Sequence, residues 1–363
     1  MAVVVVKIGT STLVDADGAF REDVLESRVS DLVGLLRAGH HPVLVTSGAI
    51  ALGLARLGVA RRPTALPDLQ AASAVGQGIL IKRYIRAFAE HDVVAAQVLL
   101  TSGDLANRAT YLNARGTLQR LLEFGAIPVV NENDTTATDD ITFGDNDVLA
   151  SQVAILLGAA MLVLLTDRDG LYGPGEDGPV LIERVTEGTP PEDVELAAIA
   201  GSGLGRGGIT SKIASASMAT AAGVETVIAN GGADGIVPEV VEGRGTATRF
   251  PASGESRSAF KLWLRYAKPA QGTIAVDGGA AAALVDRGTS LLAVGITACD
   301  GDFQGGDAVE IIGPDGGLIG KGICRLGADQ VRRIVGLSSA QVRARVPGIP
   351  DEVIHRDQFV LLD

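Results

Sequence analysis

The chain has 363 residues, 47% of them hydrophobic and 20% charged, with a formal net charge of −12. That length supports two domains and a large core, and the acidic balance argues against a general nucleic-acid or anionic-membrane surface. Two distant cysteines, Cys299 and Cys324, make neither a disulfide framework nor a zinc site, so a reducing cytosol is the expected setting.

Val3 to Val6 are β-branched and unalternating, as expected of a strand buried on both faces of a sheet. The run ends too soon for a signal peptide, and Lys7 follows where another apolar residue would bury more cheaply. Gly9 then lets backbone approach a ligand, while Thr10 and Ser11 can cap a helix or donate to an anion. A lysine at the carboxyl end of a buried strand, beside a glycine turn, is placed to meet phosphate. The alternative is a lysine snorkelling out to solvent. Among 31 basic residues only Lys7, Lys82, Lys212, Lys261, Lys268 and Lys321 are lysines, so a retained lysine hints that a compact point charge is wanted.

Further strands are expected at 42–46, 93–99, 126–130, 161–166 and 225–229, after the first at 3–7. Helices are expected at 22–38, 66–90, 108–124, 145–157 and 211–222. This alternation points to an α/β fold, a mostly parallel sheet sandwiched by helices. Gly39, Gly125, Gly158 and Gly223 stand where helix C-caps belong. The longest apolar stretch, Val153 to Leu165, falls short of the ~20 residues of a membrane span, so no membrane partner is expected. Arg249 to Ser258 has linker composition. From about Pro269 the runs Gly272–Val276, Leu291–Ile296, Ala308–Ile312 and Gly317–Ile319 are parted by Gly and Asp turns, which reads as a small β-rich domain. The expected domains are 1–256 and 269–363, the second acidic from residue 270 on, with eight basic against twelve acidic residues.

Five segments can carry chemistry. In Thr46-Ser47-Gly48, Ser47 can bind a carboxylate or phosphate, or simply cap a helix; G-x-S-x-G is absent and no histidine is an evident partner for a nucleophile. Asn131-Glu132-Asn133-Asp134 follows a strand, as a ligand crevice or an Asx-rich turn. Gly144-Asp145-Asn146-Asp147 opens a helix that Asp145 can cap; Asn146 can hold a substrate carboxylate, and Asp147 can hold two lysines without touching the reacting atoms. Thr166-Asp167 closes a strand, suits a base or ribose, and leads into Asp169-Gly170-Leu171-Tyr172, which fails as a calcium loop. Gly201 to Lys212 is glycine-rich but not a Walker A motif, because Ser211 precedes the lysine. Its Gly203-x-Gly205-x-x-Gly208 follows an expected helix, Val194–Ala200, so the dinucleotide match is accidental. A mobile loop over triphosphate fits better, with Thr210 starting the next helix and Lys212 opposing its macrodipole unless phosphate is bound.

In order and at fitting intervals, V-K-I-G-T-S, V-T-S-G-A-I, V-N-E-N-D, G-D-N-D, L-L-T-D-x-x-G-L-Y and G-G-I-T-S-K resemble the amino-acid kinase family, most closely its glutamate-phosphorylating branch. The segment from Thr273-Ile-Ala-Val-Asp277 to Val353-Ile-His355-Arg356-Asp357 looks like the PUA domain often fused to it. Arg206, where a small residue is usual, and Ile209-Thr210-Ser211, where Met-x-Thr is usual, depart from the family pattern in ways that bear on nucleotide affinity. The resemblance implies ATP-dependent phosphorylation of the L-glutamate side-chain carboxylate, the first step toward proline, with magnesium arriving on the nucleotide. It implies that Lys7, Lys212 and Asp147 are catalytic and that Ser47, Asp134 and Asn146 bind glutamate. It also implies that Lys7, Gly9, Thr166, Asp167, Arg206, Gly207, Gly208, Ile209, Thr210, Ser211 and Lys212 bind ATP. Expected with these are a homo-oligomer and feedback by proline. The rivals are a carbamate, aspartate or uridylate kinase of the same fold, and an RNA-binding protein acting through the PUA domain. Arg332, Arg333, Arg343 and Arg345 would form the local patch for RNA, and the acidic tail weighs against it.

Overall fold

Val3–Ile8 forms β1, and the unalternating valines serve two cores at once: Val4, Val6 and Ile8 enter one, Val3 and Val5 the other. The computed structural model describes residues 1–15, 18–136, 146–173, 178–185, 209–253, 261, 264–265, 268, 270–345 and 348–362. It divides into two units, Met1–Arg257 and Ser258–Asp363.

In the first unit a helical turn, α1 (Thr10–Leu13), leads to α2 (Glu22–Arg37), with Glu22 and Asp23 in its first turn and Arg37 in its last, as the helix dipole favours. Then come β2 (His41–Val45), α3 (Ala49–Leu57), α4 (Leu66–Ala89), β3 (Ala95–Leu100), α5 (Ser102–Ala106), α6 (Arg108–Glu123) and β4 (Ile127–Glu132). The unit continues with α7 (Asn146–Leu157), β5 (Met161–Thr166), a ribbon of β6 (Tyr172–Gly173) and β7 (Val180–Leu181), α8 (Ile209–Ala221), β8 (Glu225–Asn230), α9 (Ile236–Val241) and β9 (Ala247–Phe250). The four glycines expected as C-caps all take positive φ, between +60° and +87°.

The sheet runs β3-β4-β2-β1-β5-β8-β9, parallel except for β9, which lies antiparallel on β8. β1 is central: the chain builds outward on one side through β2, β4 and β3 and on the other through β5 and β8. Sheets of this kind bind ligands beyond the carboxyl ends of their strands, where the winding changes direction. One core packs α2, α4 and α9 on one face; the other packs α6, α7 and α8 on the opposite face. The start of the expected linker proves to be structured: Arg249 and Phe250 end β9, where Phe250 is fully buried.

Two glycines bring α3 and α4 into backbone contact. A Cβ on Gly53 would sit 1.8 Å from the Ala72 carbonyl oxygen, and one on Gly76 1.7 Å from that of Ala49. Neither space can hold a methyl group. Gly78, two residues along α4, faces open space.

The second unit holds a five-stranded sheet of β10 (Ala270–Val276), β12 (Ile296–Gly301), β13 (Ala308–Ile312), β14 (Leu318–Ile323) and β16 (Phe359–Leu361), in the order β12-β10-β13-β14-β16. A two-stranded pair joins β11 (Leu291–Leu292) to β15 (Glu352–Ile354). Sequence texture overstated the run Leu291–Ile296, which is a short strand, a 3₁₀ turn at Ala293–Gly295 and the first residue of the next strand. It also missed α10 (Gly278–Val285), α11 (Ala328–Ile334) and α12 (Ser339–Arg345), three short helices whose Leu284, Val331, Ile334 and Val342 enter this unit's core. Cys299 and Cys324 are free thiols on one core, and burial pushes the Cys324 thiol up to about 11. Leu264 is fully buried with Ala308, Ile323 and Val360, while Lys321 donates to the Arg265 and Lys268 carbonyls at 3.1 Å. Leu264, Arg265 and Lys268 therefore pack with this unit.

The glycine contact is testable within a single helix. Gly76→Ala should destabilise by about 1–3 kcal/mol or more through overpacking. Gly78→Ala should stabilise by roughly 0.5–1 kcal/mol through helix propensity. Urea denaturation of the two variants measures the contrast.

Candidate active site

Strand alternation places the first catalytic candidate. Lys7 lies on the face of Val3 and Val5, which α7 and α8 cover, and its side chain is only 3% exposed. A buried ammonium requires a counter-charge. Asp147, in the first turn of α7 and wholly buried, supplies it: Oδ1 lies 2.6 Å from Lys7 Nζ and Oδ2 3.0 Å from Lys212 Nζ. One carboxylate thus joins a strand-end lysine to a lysine in the first turn of α8. The unfavourable place of Lys212 in its helix dipole is met by this carboxylate. One turn further in, the Ser151 hydroxyl lies 3.0 Å from the Asp147 carbonyl and 2.9 Å from that of Ser215, which fixes α7 against α8. Beside this bridge Gly9 begins α1, which neither Thr10 nor Ser11 caps, and a Cβ there would lie 3.5 Å from the Lys7 ammonium.

A second polar cluster stands at the carboxyl ends of β2 and β4. Thr46 extends the Leu44 face of β2 toward α4, and its hydroxyl meets Tyr84 OH at 2.8 Å. Asn146, the first residue of α7, donates both amide hydrogens, one to the Thr46 carbonyl and one to Asn131 Oδ1 at 2.7 Å. Asn131 in turn donates to Gln77 Oε1 at 2.6 Å. Ser73, one turn before Gln77 on α4, donates to Asp134 Oδ2 at 2.5 Å. Burial raises the Asp134 pKa, with the Ser73 hydrogen bond and the Arg62 charge opposing the rise. Ser47 is not a helix cap: Gly48, at φ +104°, takes that position. Ser47 Oγ is buried without a hydrogen-bond partner among the described residues, a cost that a ligand would relieve.

The Asx-rich segment divides by role. Asn133 is the turn residue, accepting from Thr135 Oγ1 at its side chain and from the Thr136 amide at its carbonyl. Asn131 and Asp134 make the long-range bonds. On the other side of β1, Thr166 ends β5 with its hydroxyl 3.1 Å from Asp167 Oδ1, and Asp167 is exposed. Ile209 and Ser211 stand with Lys212 in the first turn of α8. Arg206, Gly207, Gly208, the side chain of Thr210, the expected cap Asp145 and the expected helix Val194–Ala200 lie outside the described residues.

A model described as the amino acid kinase family matches residues 2–230, and one described as the PUA domain matches residues 272–346. The chain belongs to the amino acid kinase family. Relatives named glutamate 5-kinase include one from Synechococcus sp. (strain JA-3-3Ab), 43% identical across 99% of this chain and 98% of its own length. Others come from Moorella thermoacetica, 43% identical across 99% and 96%, and Cutibacterium acnes, 44% identical across 99% and 92%.

Within this amino acid kinase, reading motifs alone overlooked Thr46, Ser73, Gln77 and Tyr84 as parts of the polar cluster. Strand alternation would have pointed Thr46 at α4. The i, i+4 pair Ser73 and Gln77 was visible as polar residues on an otherwise apolar helix face.

The shared carboxylate makes a stability prediction. Asp147→Asn leaves two confined ammonium groups facing an amide, and loss of one partner in a buried ion pair typically costs about 3–5 kcal/mol. Chemical denaturation should show a loss of that size, and a variant as stable as the parent would contradict the bridge.

Proposed function

We propose that this chain transfers the γ-phosphoryl group of ATP to the side-chain carboxylate of L-glutamate, giving L-glutamyl 5-phosphate and opening a route to proline. The observation that carries the reading is the Lys7–Asp147–Lys212 bridge set beside the cluster of Ser47, Asp134 and Asn146. Full-length similarity to glutamate 5-kinases supports the choice of acceptor.

The chemistry suits these groups. A carboxylate with a pKa of about 4.3 is already a nucleophile at neutral pH, so no general base is needed. What remains is alignment of two anions and neutralisation of the charge spread over the transferring phosphoryl group. Lys7 and Lys212 take that task, while Asp147 orients both ammonium groups without touching the reacting atoms. The Thr166–Asp167 strand end, Gly9 and the segment 206–212 hold the nucleotide. At the acceptor end the bonding pattern changes the role expected of Asn146. Both its amide hydrogens are committed within the protein, so it offers Oδ1, an acceptor suited to an ammonium group rather than a carboxylate. With Asp134 it takes the substrate α-amino group, and the unpartnered Ser47 hydroxyl donates to a substrate oxygen.

No group of three or more His, Cys, Asp or Glu side chains that could hold a metal gathers among the described residues. Magnesium would arrive on the nucleotide, held by phosphate oxygens and water, where it offsets phosphate charge. Exposed Val94, Leu112 and Phe124 at the β3 edge and along α6 support the homo-oligomer. Proline feedback is part of the same proposal, since an amino-acid site of this kind can admit another amino acid. On the PUA domain, Arg332 bonds Asp329 and the Gly301 carbonyl and Arg343 bonds Asp351, so two charges of the candidate RNA patch are engaged locally. No helix of the described residues is long and apolar enough to cross a membrane.

Trapping acyl phosphate with hydroxylamine across glutamate, aspartate and carbamate tests the acceptor. Product with glutamate alone is expected, and product only with another acid would replace the reading. Lys212→Ala should lower kcat by about 10²–10³ in a folded enzyme.

Asp134→Asn should raise KM for glutamate far more than KM for ATP. Because burial raises the Asp134 pKa, its anion is lost at a higher pH than for an ordinary carboxylate. KM for glutamate should therefore climb as pH falls into the mildly acidic range, and Ser73→Ala should move that climb to still higher pH. A flat KM–pH profile would remove Asp134 from substrate binding.

A further inference from the structure

Asp169 and Tyr172 follow the nucleotide-side strand end, yet the reaction as described uses neither. They are joined to Asn230 at the end of β8. Asn230 Nδ2 donates to Asp169 Oδ1 at 2.9 Å across 61 residues of chain, and Tyr172 OH donates to Asp169 Oδ2 at 3.2 Å. Asn230 Oδ1 accepts from the Gly232 amide at 2.9 Å, which fixes the rotamer and leaves Nδ2 facing Asp169. The next amide, Gly231, donates to the Thr166 carbonyl at 2.7 Å. Thr166 is thus held from the β8 exit turn through its own carbonyl and through Asp169, three residues on.

The exit turn is fixed in its own right. Arg28 of α2, only 1% exposed, donates from Nη1 to the carbonyls of Gly231 at 3.2 Å and Ala233 at 2.6 Å. Its Nε pairs with Asp31 Oδ2 at 3.2 Å, and Nη2 donates to Ser27 Oγ at 2.7 Å. A Cβ on Gly231 would lie 2.7 Å from Thr12 Cγ2 and 3.0 Å from Leu165 Cβ, so the turn is also wedged between α1 and β5. A buried guanidinium spent on two loop carbonyls is a costly way to hold a surface turn unless the turn's position matters.

We infer that Asn230 is a positioning residue for the nucleotide: through Asp169 its side chain sets the Thr166–Asp167 strand end, the following Gly231 amide holds the Thr166 carbonyl, and Arg28 anchors the turn from which both act. Asp169 is consumed in this clamp, bonded at both oxygens, and Asp167 is the carboxylate left for the ligand. The inference rests on the reading of Thr166 and Asp167 as nucleotide contacts.

The test is an exchange of the pair. Asn230→Asp sets a second carboxylate against Asp169 and should weaken ATP about tenfold, read as Kd by calorimetry with no acceptor present. Combining it with Asp169→Asn restores one donor and one acceptor with the polarity reversed. That double variant should return to within about threefold of the parent. KM for glutamate should not move in either chain, which a general structural defect would not spare. If the Asn230→Asp chain does not fold, Asn230→Ala gives the same reading of Kd. Parent-like ATP affinity in a folded Asn230 variant overturns the clamp. So does an exchanged pair as weak as the single variant, or an equal loss for both substrates. Because Kd is read without an acceptor, a chain that binds ATP but ignores glutamate would refute the proposed acceptor and leave the clamp standing.

Discussion

A single carboxylate shared by two ammonium groups is the constraint around which the first unit is arranged. Asp147 has no exposed side-chain surface, so its charge is tolerable only while Lys7 and Lys212 stay within reach. Those lysines come from the central strand and from a helix more than two hundred residues later. Joining them requires β1 at the middle of the sheet, α7 and α8 together on one face, and a strand phase that turns Lys7 toward that face. The Ser151 contact, one turn into the helices, fixes the same pairing from below. Burial also keeps the two cations in weakly screened surroundings, where they act most strongly on an incoming anion.

The polar cluster at the carboxyl ends of β2 and β4 is built on a different principle. Its groups are neutral amides and hydroxyls, with one carboxylate at the margin, and each is fixed by a neighbour that uses up a specific donor or acceptor. Tyr84 occupies Thr46, Gln77 occupies Asn131, and Asn131 with Thr46 exhausts the Asn146 donors. What remains unpaired, the Ser47 hydroxyl foremost, defines what a ligand must bring. The close approach of α3 and α4 matters here, since α4 carries Ser73, Gln77 and Tyr84.

Much of this could be read from residue order, and the limits have physical causes. The buried strands and long helices of the first unit fell within a few residues of their observed ends, because unalternating β-branched runs and C-capping glycines are local signals. Lys7 stood out where an apolar residue would bury more easily, Ser47 and Asp147 as polar residues at helix starts, and Lys212 as a cation set against its helix dipole. Thr46, Ser73, Gln77 and Tyr84 were not singled out because their roles depend on which helix lies over which strand, a long-range fact. Asn146 drew attention, but residue order could not tell which of its amide groups is engaged within the protein. Only the placement of Asn131 and the Thr46 carbonyl shows that its donors are already taken. In the second unit the short runs between glycines carry too little periodicity to separate a strand from a 3₁₀ turn, as Leu291–Ile296 shows.

The C-cap at Gly158 has a consequence for how such a chain can change over evolution. Every group assigned to acceptor recognition, from Thr46 to Asn146, is encoded before it, whereas the nucleotide groups are split, with Lys7 and Gly9 before it and Thr166, Asp167, the segment 206–212 and Asn230 after it. Acceptor recognition therefore lies wholly on one side of that seam, while donor recognition straddles it. A recombination event near Gly158 between two relatives would pair one parent's acceptor groups, Lys7 and Gly9 with the other's strand-end and loop contacts to the nucleotide. Such a hybrid would have to preserve the contacts that cross the seam: Lys212 with Asp147, Ser151 with the Ser215 carbonyl, and Arg28 with the turn after β8.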